Sequence, residues 1–350
     1  MEKIDKKIDI LLKGTSRSFY LTLNFLPKKI RKQIGLLYLL ARLSDTIADS
    51  KVGENDILIR LIGQYNDRVQ KRSETIPDLT DLSLLQENPA EQKLLQDVML
   101  PIKYLEESKI FSERDRVRIR ECLEIIIRGQ TLDLERFNAS SKAEIIALND
   151  ENELDEYTYS VAGSVGEFWT HMVLDHQFEV DNEMRNNLFE NGIRFGKSLQ
   201  LINILRDIPE DIAMGRCYIP MEKLLEYDLE PKDLLDSNNM DKFRPIFDSY
   251  ISKAYNHLNC AIKWVNLLPK NQYKLRFSCI LPILIGQSTL KMLSENNVLD
   301  RKNRIKVSRK EIKSMFSKAL FASITKNRTS KLIGESGIIS IEQSTHGLKY

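Results

Sequence analysis

Apolar residues recur at spacings of three and four along most of the chain, as in Ile4, Ile8 and Leu11, whereas alternation of apolar and polar residues is scarce. This spacing places apolar side chains on one face of a helix. Ser308 precedes Glu311 by three residues, the spacing of a capping box that closes the first turn of a helix. The pattern predicts an all-α protein.

Turn-forming residues cluster in short stretches, none of which has the length of a flexible linker. These stretches are SKVGEND, SETIPDLTDLSLLQENPAEQ, NASSKAE, LEPKDLLDSNNM and LLPKNQ. Ser112, with Asp115 three residues on, resembles a second capping box. We therefore expect a single domain over residues 1–326. Residues 327–350 mix Ser, Gly and polar residues, and we expect them to form a loosely held tail.

A polar stripe crosses the otherwise apolar segment IGLLYLLARLSDTIAD, residues 34–49. Tyr38, Arg42, Asp45 and Asp49 share one narrow face of a helix, because each residue advances the helix by about 100°. Leucine and isoleucine fill the other faces and predict burial on most sides. Since an unpaired buried charge is costly, the stripe is expected to line an internal cavity that holds solvent or ligand.

A second segment, SLQLINILRDIPEDIAMGRCYIP at residues 198–220, repeats this design. Its stripe consists of Gln200, Asn203, Asp207 and Asp211. If the two helices face each other, four carboxylates meet across a cavity and form a divalent cation site. Mg²⁺ suits such pairs, because it takes one or two acidic ligands and shares its other positions with water and substrate phosphates.

Arginines accompany both aspartate pairs. Arg42, Arg206 and Arg216 can each present a planar fork of N–H donors to diphosphate oxygens. The chemistry indicated is ionisation of a diphosphate ester, with the apolar remainder of the cavity holding a hydrocarbon cation away from water.

Carboxylate pairs four residues apart also arise by chance. With 50 acidic residues among 350, about seven such pairs are expected, so one pair carries little information. The site hypothesis depends on the conjunction of two pairs, each on a polar stripe of an apolar helix. Pro209 lies between Asp207 and Asp211 and removes a backbone donor, which can kink the helix there.

The balance of charges and the spacing of the cysteines limit which classes of ligand and partner the chain is expected to bind. Lys and Arg number 52 against 50 Asp and Glu, and this balance gives no electrostatic reason to expect nucleic-acid binding. The four cysteines lie far apart, so we expect reduced thiols, neither a zinc site nor a redox pair, and a cytoplasmic location. We expect a monomer.

Membrane features are weak. The N-terminus carries acidic residues and lacks the apolar core of a secretory signal. The apolar run CILPILIG is interrupted by Pro282 and is shorter than the roughly 20 residues that span a bilayer, so no transmembrane anchor is expected. The basic cluster RKNRIKVSRK, residues 301–310, is interpreted as a solvated loop. A peripheral contact with anionic headgroups at the inner face of the membrane is the alternative.

Five stretches resemble the squalene and phytoene synthase family, the head-to-head prenyl transferases. They are TSRSFYLTL (15–23), LLYLLARLSDTIAD (36–49), GQTLDLERF (129–137), YTYSVAGSVGEF (157–168) and QLINILRDIPEDIAMGRCYIP (200–220). They follow the order of the family within residues 14–290. The resemblance implies an isoprenoid-synthase helical fold around a central cavity, with prenyl diphosphates as substrates and Mg²⁺ as cofactor.

The resemblance also implies roles for individual residues. The metal-binding and catalytic carboxylates would be Asp45, Asp49, Asp207 and Asp211. The groups that hold substrate diphosphate would be Ser16, Arg17, Ser18, Phe19, Arg42, Gln200, Asn203, Arg206 and Arg216. Tyr38 and Tyr157 match catalytic aromatic positions of the cavity wall, where a π-face can shelter a carbocation.

Members of the family differ in their product. Squalene synthases join two C15 diphosphates through presqualene diphosphate and reduce it with NADPH, whereas phytoene synthases join two C20 diphosphates. The stretch RFSCILPILIGQSTL (276–290) looks like a region of squalene synthases, although Ser278 stands where that region has a phenylalanine. LLARLSDTIAD and LRDIPEDIAMGRCYIP look most like bacterial sequences of the squalene synthase type, so squalene formation with NADPH is the favoured expectation. Phytoene, dehydrosqualene or presqualene diphosphate synthesis is the alternative, and a non-catalytic interaction protein of the same fold is the alternative of a different class.

The stretch VAGSVG (161–166) leaves two interpretations open. Its small residues either permit a close approach of helices or leave room for an isoprenoid chain. Ser160 stands where some squalene synthases carry a tyrosine, which leaves the fate of the intermediate open.

Overall fold

A computed structural model describes residues 2–16, 18–50, 54–141 and 144–335. Within these ranges the chain is almost entirely helical, which confirms the predicted all-α class. The α-helices are α1 (Glu2–Ser16), α2 (Ser18–Phe25), α3 (Lys28–Ala48), α4 (Asn55–Val69), α5 (Thr80–Leu85), α6 (Pro89–Gln96), α7 (Met99–Glu107), α8 (Glu113–Arg136), α9 (Glu151–Thr158), α10 (Ser164–His176), α11 (Asn182–Ala213), α12 (Met221–Leu225), α13 (Met240–Leu267), α14 (Tyr273–Glu295), α15 (Arg309–Ala322) and α16 (Lys326–Glu335).

Short elements of other types connect these helices. A π-helical turn, Tyr159–Gly163, joins α9 to α10, and 3-10 turns at Pro231–Leu235 and Ser237–Asn239 precede α13. Two short strands, β1 (Ile146–Ala147) and β2 (Arg216–Cys217), pair in parallel. They tie the chain that follows α11 to the chain that precedes α9.

The sharp turn after α11 depends on Gly215. Its φ of +89° lies in the left-handed region, and a Cβ there would come within 2.6 Å of the Ser141 carbonyl oxygen. Because the turn is followed immediately by β2, Arg216 is held by strand pairing and not by a frayed helix end.

Helix α11 lies at the centre of the bundle and packs against α10, α13 and α14. Its approach to α10 and to the π-helical turn is unusually close: a Cβ on Gly166 of α10 would lie 1.9 Å from the Gly192 carbonyl oxygen, and one on Gly196 would lie 2.0 Å from the carbonyl oxygen of Ala162 in the turn. Side chains larger than hydrogen would force these backbones apart.

Both predicted capping boxes are confirmed. The Ser112 hydroxyl accepts from the Asp115 amide at 3.1 Å, and the Ser308 hydroxyl accepts from the Glu311 amide at 3.2 Å. The reciprocal bonds, from the Ser112 and Ser308 amides to the carboxylates, are also present. These caps fix the starts of α8 and α15.

The prediction that Pro282 interrupts the apolar run is wrong, because Pro282 lies inside α14, a continuous helix of 23 residues from Tyr273 to Glu295. Within the described ranges α14 is the one helix long and apolar enough to cross a membrane, and 67% of its most apolar window is buried inside the protein. Such burial is typical of a central bundle helix. Pro209 likewise lies inside α11, which continues past it to Ala213.

The predicted loose tail departs from the structure over residues 327–335, which belong to α16. Thr329 and Ile333 are fully buried, and the Gln287 side chain donates to the Ile333 carbonyl at 2.8 Å. Two buried side chains among polar neighbours suffice to dock this short helix on α13, α14 and α15. Residues 336–350, the rest of the predicted tail, lie outside the described residues.

Candidate active site

A cavity of about 490 Å³ lies between α2, α3, α10, α11 and α14. Most of its wall is aliphatic or aromatic, including Phe19, Trp169, Phe195 and Trp264. Its volume is within the range of about 300–1,000 Å³ that is typical of small-molecule sites. A wall of this kind suits a flexible hydrocarbon.

The two polar stripes continue from this cavity. On α3, Ile34, Leu37, Tyr38 and Ala41 line the wall, and the side chains of Asp45 and Asp49 follow one and two turns later. On α11, Gln200 and Asn203 line the wall, and Asp207 and Asp211 follow in the same way. Each helix therefore places a carboxylate pair one and two turns beyond its last cavity-lining residue, and we call the region of the two pairs the mouth.

The first pair is only partly neutralised. Arg42 donates from Nη1 to Asp45 Oδ2 at 2.8 Å. Restricted hydration and the Asp49 charge raise the pKa of Asp45 to about 7, and restricted hydration also raises the pKa of Asp49 against the attraction of Arg216 and Arg42. Asp45 keeps 42% of its side chain exposed toward the open mouth, where water screens part of this repulsion.

The second pair shows the same imbalance. Arg206 donates from Nε to Asp207 Oδ1 at 2.8 Å. Burial, followed by repulsion from Asp207, raises the pKa of Asp211 to about 7, while Arg216 opposes this shift. Asp211 therefore accepts a proton far more readily than an ordinary aspartate.

Arg304 also reaches the second pair. Its guanidinium lies 3.3 Å from Glu210 and 3.9 Å from Asp207. The sequence indicated a solvated loop at residues 301–310, and in the structure one member of that basic cluster faces the mouth. Nothing in the local pattern distinguishes Arg304 from its basic neighbours.

A buried acid that the sequence interpretation missed lies between the two pairs. Asp133, on α8, accepts from the Tyr218 hydroxyl at 2.8 Å and lies 3.5 Å from Arg216. Its Oδ1 atom is buried without a hydrogen-bond partner. Burial is the main cause of a pKa of about 6 for Asp133, and Arg216 opposes it.

Tyrosines surround this acid. Tyr218 stacks on Tyr157 with ring centroids 4.8 Å apart. Both Asp133 and Tyr218 fall in stretches that carry the family resemblance, GQTLDLERF and QLINILRDIPEDIAMGRCYIP, and that resemblance is the signal by which they could have been found. The predicted aromatic residue Tyr157 thus lies beside the carboxylates, whereas Tyr38 lines the cavity and donates to the Thr15 carbonyl at 3.0 Å.

The SRSF stretch is described in part. Phe19 lines the cavity and packs on Tyr38 with ring centroids 5.0 Å apart. Ser16 is buried and its hydroxyl donates to the Leu12 carbonyl within α1, so the side chain is engaged away from the mouth. Arg17 and the side chain of Ser18 lie outside the described residues.

The structure supports both interpretations of VAGSVG. Val161, Ala162 and Gly166 line the cavity, and Gly166 also touches the α11 backbone, so this stretch both packs closely and borders the hydrocarbon space. Ser160 is fully buried against Gly129, where a Cβ would meet the Ser160 Cβ at 2.6 Å. A larger side chain at residue 160 has no room in that direction.

The residues at the mouth fit a magnesium ion. Among the groups whose charges act on these carboxylates, carboxylates outnumber guanidinium groups seven to five: Asp45, Asp49, Glu91 of α6, Asp133, Asp207, Glu210 and Asp211 against Arg42, Arg136, Arg206, Arg216 and Arg304. In the described part of the chain, no group of three or more His, Cys, Asp or Glu residues could hold a metal ion without other ligands. Mg²⁺ needs only one or two carboxylates when water and phosphate oxygens complete its shell.

The squalene/phytoene synthase family model matches residues 12–311, most of the chain. The chain belongs to this family. The bifunctional lycopene cyclase/phytoene synthase of Podospora anserina is 28% identical over 268 residues, which cover 74% of this chain and 42% of that protein. Squalene synthase of Saccharomyces cerevisiae is 26% identical over 291 residues, 82% of this chain and 61% of that protein. The chain thus spans less than two thirds of these relatives.

Solved structures share the fold. TcSQS in complex with the ligand E5700 superposes with a TM-score of 0.76 at 18% identity, covering 96% of this chain and 92% of that one. Squalene synthase HpnC from Alicyclobacillus acidocaldarius gives a TM-score of 0.58 at 17% identity, covering 84% and 94%. The predicted isoprenoid-synthase helical fold is confirmed.

Proposed function

We propose that this protein condenses two prenyl diphosphates head to head, and that its substrate is farnesyl diphosphate and its final product squalene. The observation that carries the proposal is the continuity of α3 and α11, each of which runs from an apolar cavity wall to an aspartate pair at the mouth. A prenyl diphosphate has this polarity, with a hydrocarbon tail and an anionic head. Membership of the squalene/phytoene synthase family supports the reaction class.

The arginines of the mouth bind and orient the leaving group. Arg216 extends from β2 toward Asp133, and Arg42 and Arg206 each lie against one aspartate. Their forks match diphosphate oxygens and lower the energy of the charge that develops as the C–O bond breaks. Asp45, Asp49, Asp207 and Asp211 would hold Mg²⁺, which supplies further neutralisation of the departing diphosphate.

The cavity wall protects the other fragment. Tyr38 and Phe19 present aromatic faces, and the remaining wall excludes water that would capture an allylic cation. Tyr157 and Tyr218 stack at the boundary between the carboxylates and the apolar space. These side chains keep the diphosphate end polar and the hydrocarbon end dry.

The choice of squalene depends on the stretch at residues 276–290, which belongs to α14 and contributes Ser278, Cys279, Leu281, Pro282 and Ile285 to the wall. Phytoene synthesis from geranylgeranyl diphosphate is the second candidate, since the Podospora anserina relative is a phytoene synthase fusion. NADPH is part of the squalene proposal and stays a prediction from the sequence resemblance.

The double variant Asp45→Asn/Asp207→Asn tests the carboxylate site. Release of diphosphate from farnesyl diphosphate should fall at least about a hundredfold, the scale of losing preorganised electrostatic groups. The control Asp241→Asn/Asp248→Asn changes two exposed aspartates of α13 and should retain activity. Helical circular dichroism confirms folding of both. Full activity in the first double variant would refute the assignment of these residues.

A further inference from the structure

An apolar patch covers the end of the bundle where α14 begins and α15 ends. We define the α14–α16 patch by Tyr273, Leu320, Phe321 and Ile324, whose side chains are 49%, 43%, 62% and 57% exposed. Buried Arg276 brings these turns together, because its guanidinium donates to the Ser323 carbonyl at 3.0 Å and to the Pro269 carbonyl at 2.7 Å.

Basic side chains surround the patch. The Arg328 guanidinium lies 4.4 Å from the centre of the Phe321 ring, and the Lys274 ammonium lies 6.0 Å from that of Tyr273. Burial, followed by repulsion from Arg276 and from Lys270, lowers the pKa of Lys326, so these three cations lie close together. Within the described part of the chain, no ion pair neutralises Lys270, Lys274, Lys326 or Arg328.

The charge of this region differs from that of the whole chain. Residues 309–335 contain seven Lys and Arg against two Glu, whereas the chain as a whole is nearly balanced at 52 against 50. Exposed aromatic and aliphatic side chains with basic neighbours are typical of a protein surface that rests in the headgroup region of an anionic bilayer.

The patch is separated from the cavity by one aromatic layer. Phe277 packs on Phe25 at 4.4 Å and on Phe316 at 5.1 Å between ring centroids. On the inner side of this layer, Thr22 and Ser278 line the cavity, and the Ser278 hydroxyl donates to the Thr22 carbonyl at 3.2 Å. Phe277 lies one helical turn from Tyr273 on α14, and Phe316 lies one turn from Leu320 on α15, which places this layer between the hydrocarbon space and the patch.

The patch and the carboxylates lie at opposite ends of the cavity. Phe25 ends α2 just before α3 begins at Lys28, whereas Asp45 and Asp49 lie at the other end of α3. A helix of 21 residues is about 30 Å long. Substrate heads at the mouth therefore leave the hydrocarbon tails directed toward the patch.

We infer that the α14–α16 patch docks on an anionic lipid bilayer and that the hydrocarbon product leaves the cavity there, through the Phe25–Phe277–Phe316 layer. Docking depends on the exposed apolar residues and their basic rim. The exit route also rests on the proposed function, since it requires a product too apolar for water.

Flotation of the full chain with vesicles tests docking. We expect binding to equimolar phosphatidylglycerol and phosphatidylcholine, weak binding to phosphatidylcholine alone, and release at high ionic strength. Lys270→Glu/Lys274→Glu should weaken partition at least about thirtyfold, since each basic residue near such a surface contributes about fivefold. The matched control Arg301→Glu/Lys302→Glu makes the same charge change in the basic cluster near the mouth and should bind as the parent protein does.

A second pair of variants tests the apolar contact. Phe321→Glu should abolish most flotation, whereas Leu225→Glu, at a residue that is 59% exposed elsewhere, should not. Equal binding of all variants, or equal binding to neutral and anionic vesicles, would overturn the docking surface. Dimers that Phe321→Glu dissociates in light scattering would assign the patch to a second copy of the chain and overturn it as well.

Turnover separates docking from the proposed function. Anionic vesicles should increase steady-state product formation by the parent protein and not by Phe321→Glu, while the first turnover of both is the same. Normal first turnover without any vesicle effect would overturn the exit route alone. Absence of prenyl transfer with intact vesicle binding would contradict the proposed function and the exit route but leave docking supported.

Discussion

Replacement of Asp133 by asparagine isolates the cost of one buried carboxylate. The pKa of this carboxyl is about 6 in the folded protein, against an ordinary value of 3.8. Since one pKa unit corresponds to about 1.4 kcal/mol, ionised Asp133 lowers the free energy of unfolding by about 3 kcal/mol at pH 8. The Asp133→Asn substitution removes this contribution at every pH.

The sign of the effect follows from the raised pKa. Below pH 3.8 the carboxyl of Asp133 is protonated in both the folded and the unfolded chain, so its burial costs no stability there. The stability that the protonated group contributes is then lost as the pH rises through about 6. The Tyr218 hydroxyl donates to Asp133 Oδ2 at 2.8 Å, and the side-chain oxygen of asparagine can accept this bond. The amide nitrogen of asparagine then takes the place of Oδ1, which has no hydrogen-bond partner, and burying that nitrogen is a second cost. That second cost is independent of pH, so the pH dependence is the informative quantity.

Urea unfolding from pH 4 to pH 8 measures this difference. Relative to the parent protein, Asp133→Asn should gain stability as the pH rises, with roughly half of the 3 kcal/mol appearing between pH 5 and pH 8. The control Asp67→Asn, at a side chain that is 50% exposed and paired with Arg72 at 3.8 Å, should change by less than about 1 kcal/mol at every pH. A stability difference between Asp133→Asn and the parent protein that stays constant with pH would show that burial does not raise the pKa of Asp133.

Three further predictions follow from the packing, the helix caps and the carboxylates. Gly166→Ala should lower Tm and lower the free energy of unfolding by about 3 kcal/mol or more, because its Cβ would lie 1.9 Å from the backbone of α11. In the control Gly63→Ala the new Cβ meets nothing within 4 Å, so this variant should be neutral or stabilising in the same assay. Ser308→Ala should lose about 1 kcal/mol in urea unfolding through loss of the α15 cap, and an unchanged midpoint would contradict the cap's role. Mg²⁺ should raise Tm more at pH 8 than at pH 5.5, because Asp45 and Asp211, with pKa values of about 7, bind metal only when ionised. An equal rise in Tm at the two pH values would count against these aspartates as metal ligands.

The fold class and the two polar stripes were predictable because they depend on local periodicity. Asp45 and Asp49 follow the cavity-lining residues of one helix, and so do Asp207 and Asp211 on another, so helical geometry alone places each pair beyond an apolar wall. The capping boxes were predictable for the same reason, since every group involved lies within four residues.

The remaining features depend on contacts between distant segments. Asp133 reaches Arg216 across 83 residues of sequence, and Arg304 approaches Asp207 from a loop whose composition suggests only solvent. The docking of α16 depends on two buried side chains, Thr329 and Ile333, in an otherwise polar segment. Two such residues are too few to predict a packed helix from the composition of the segment. Pro282 misled the interpretation of α14, because a proline inside a buried helix is tolerated when the surrounding packing holds the helix together.

Product analysis with defined substrates measures the proposed reaction itself. The purified protein would be incubated with farnesyl diphosphate and Mg²⁺, with and without NADPH, beside a parallel incubation with geranylgeranyl diphosphate. We expect squalene from farnesyl diphosphate only when NADPH is present and, after phosphatase treatment, presqualene alcohol when NADPH is absent. Phytoene from the C20 substrate, with no C30 product, would transfer the assignment to the second candidate, and the absence of any condensed product from either substrate would contradict the account and favour a non-catalytic member of the family.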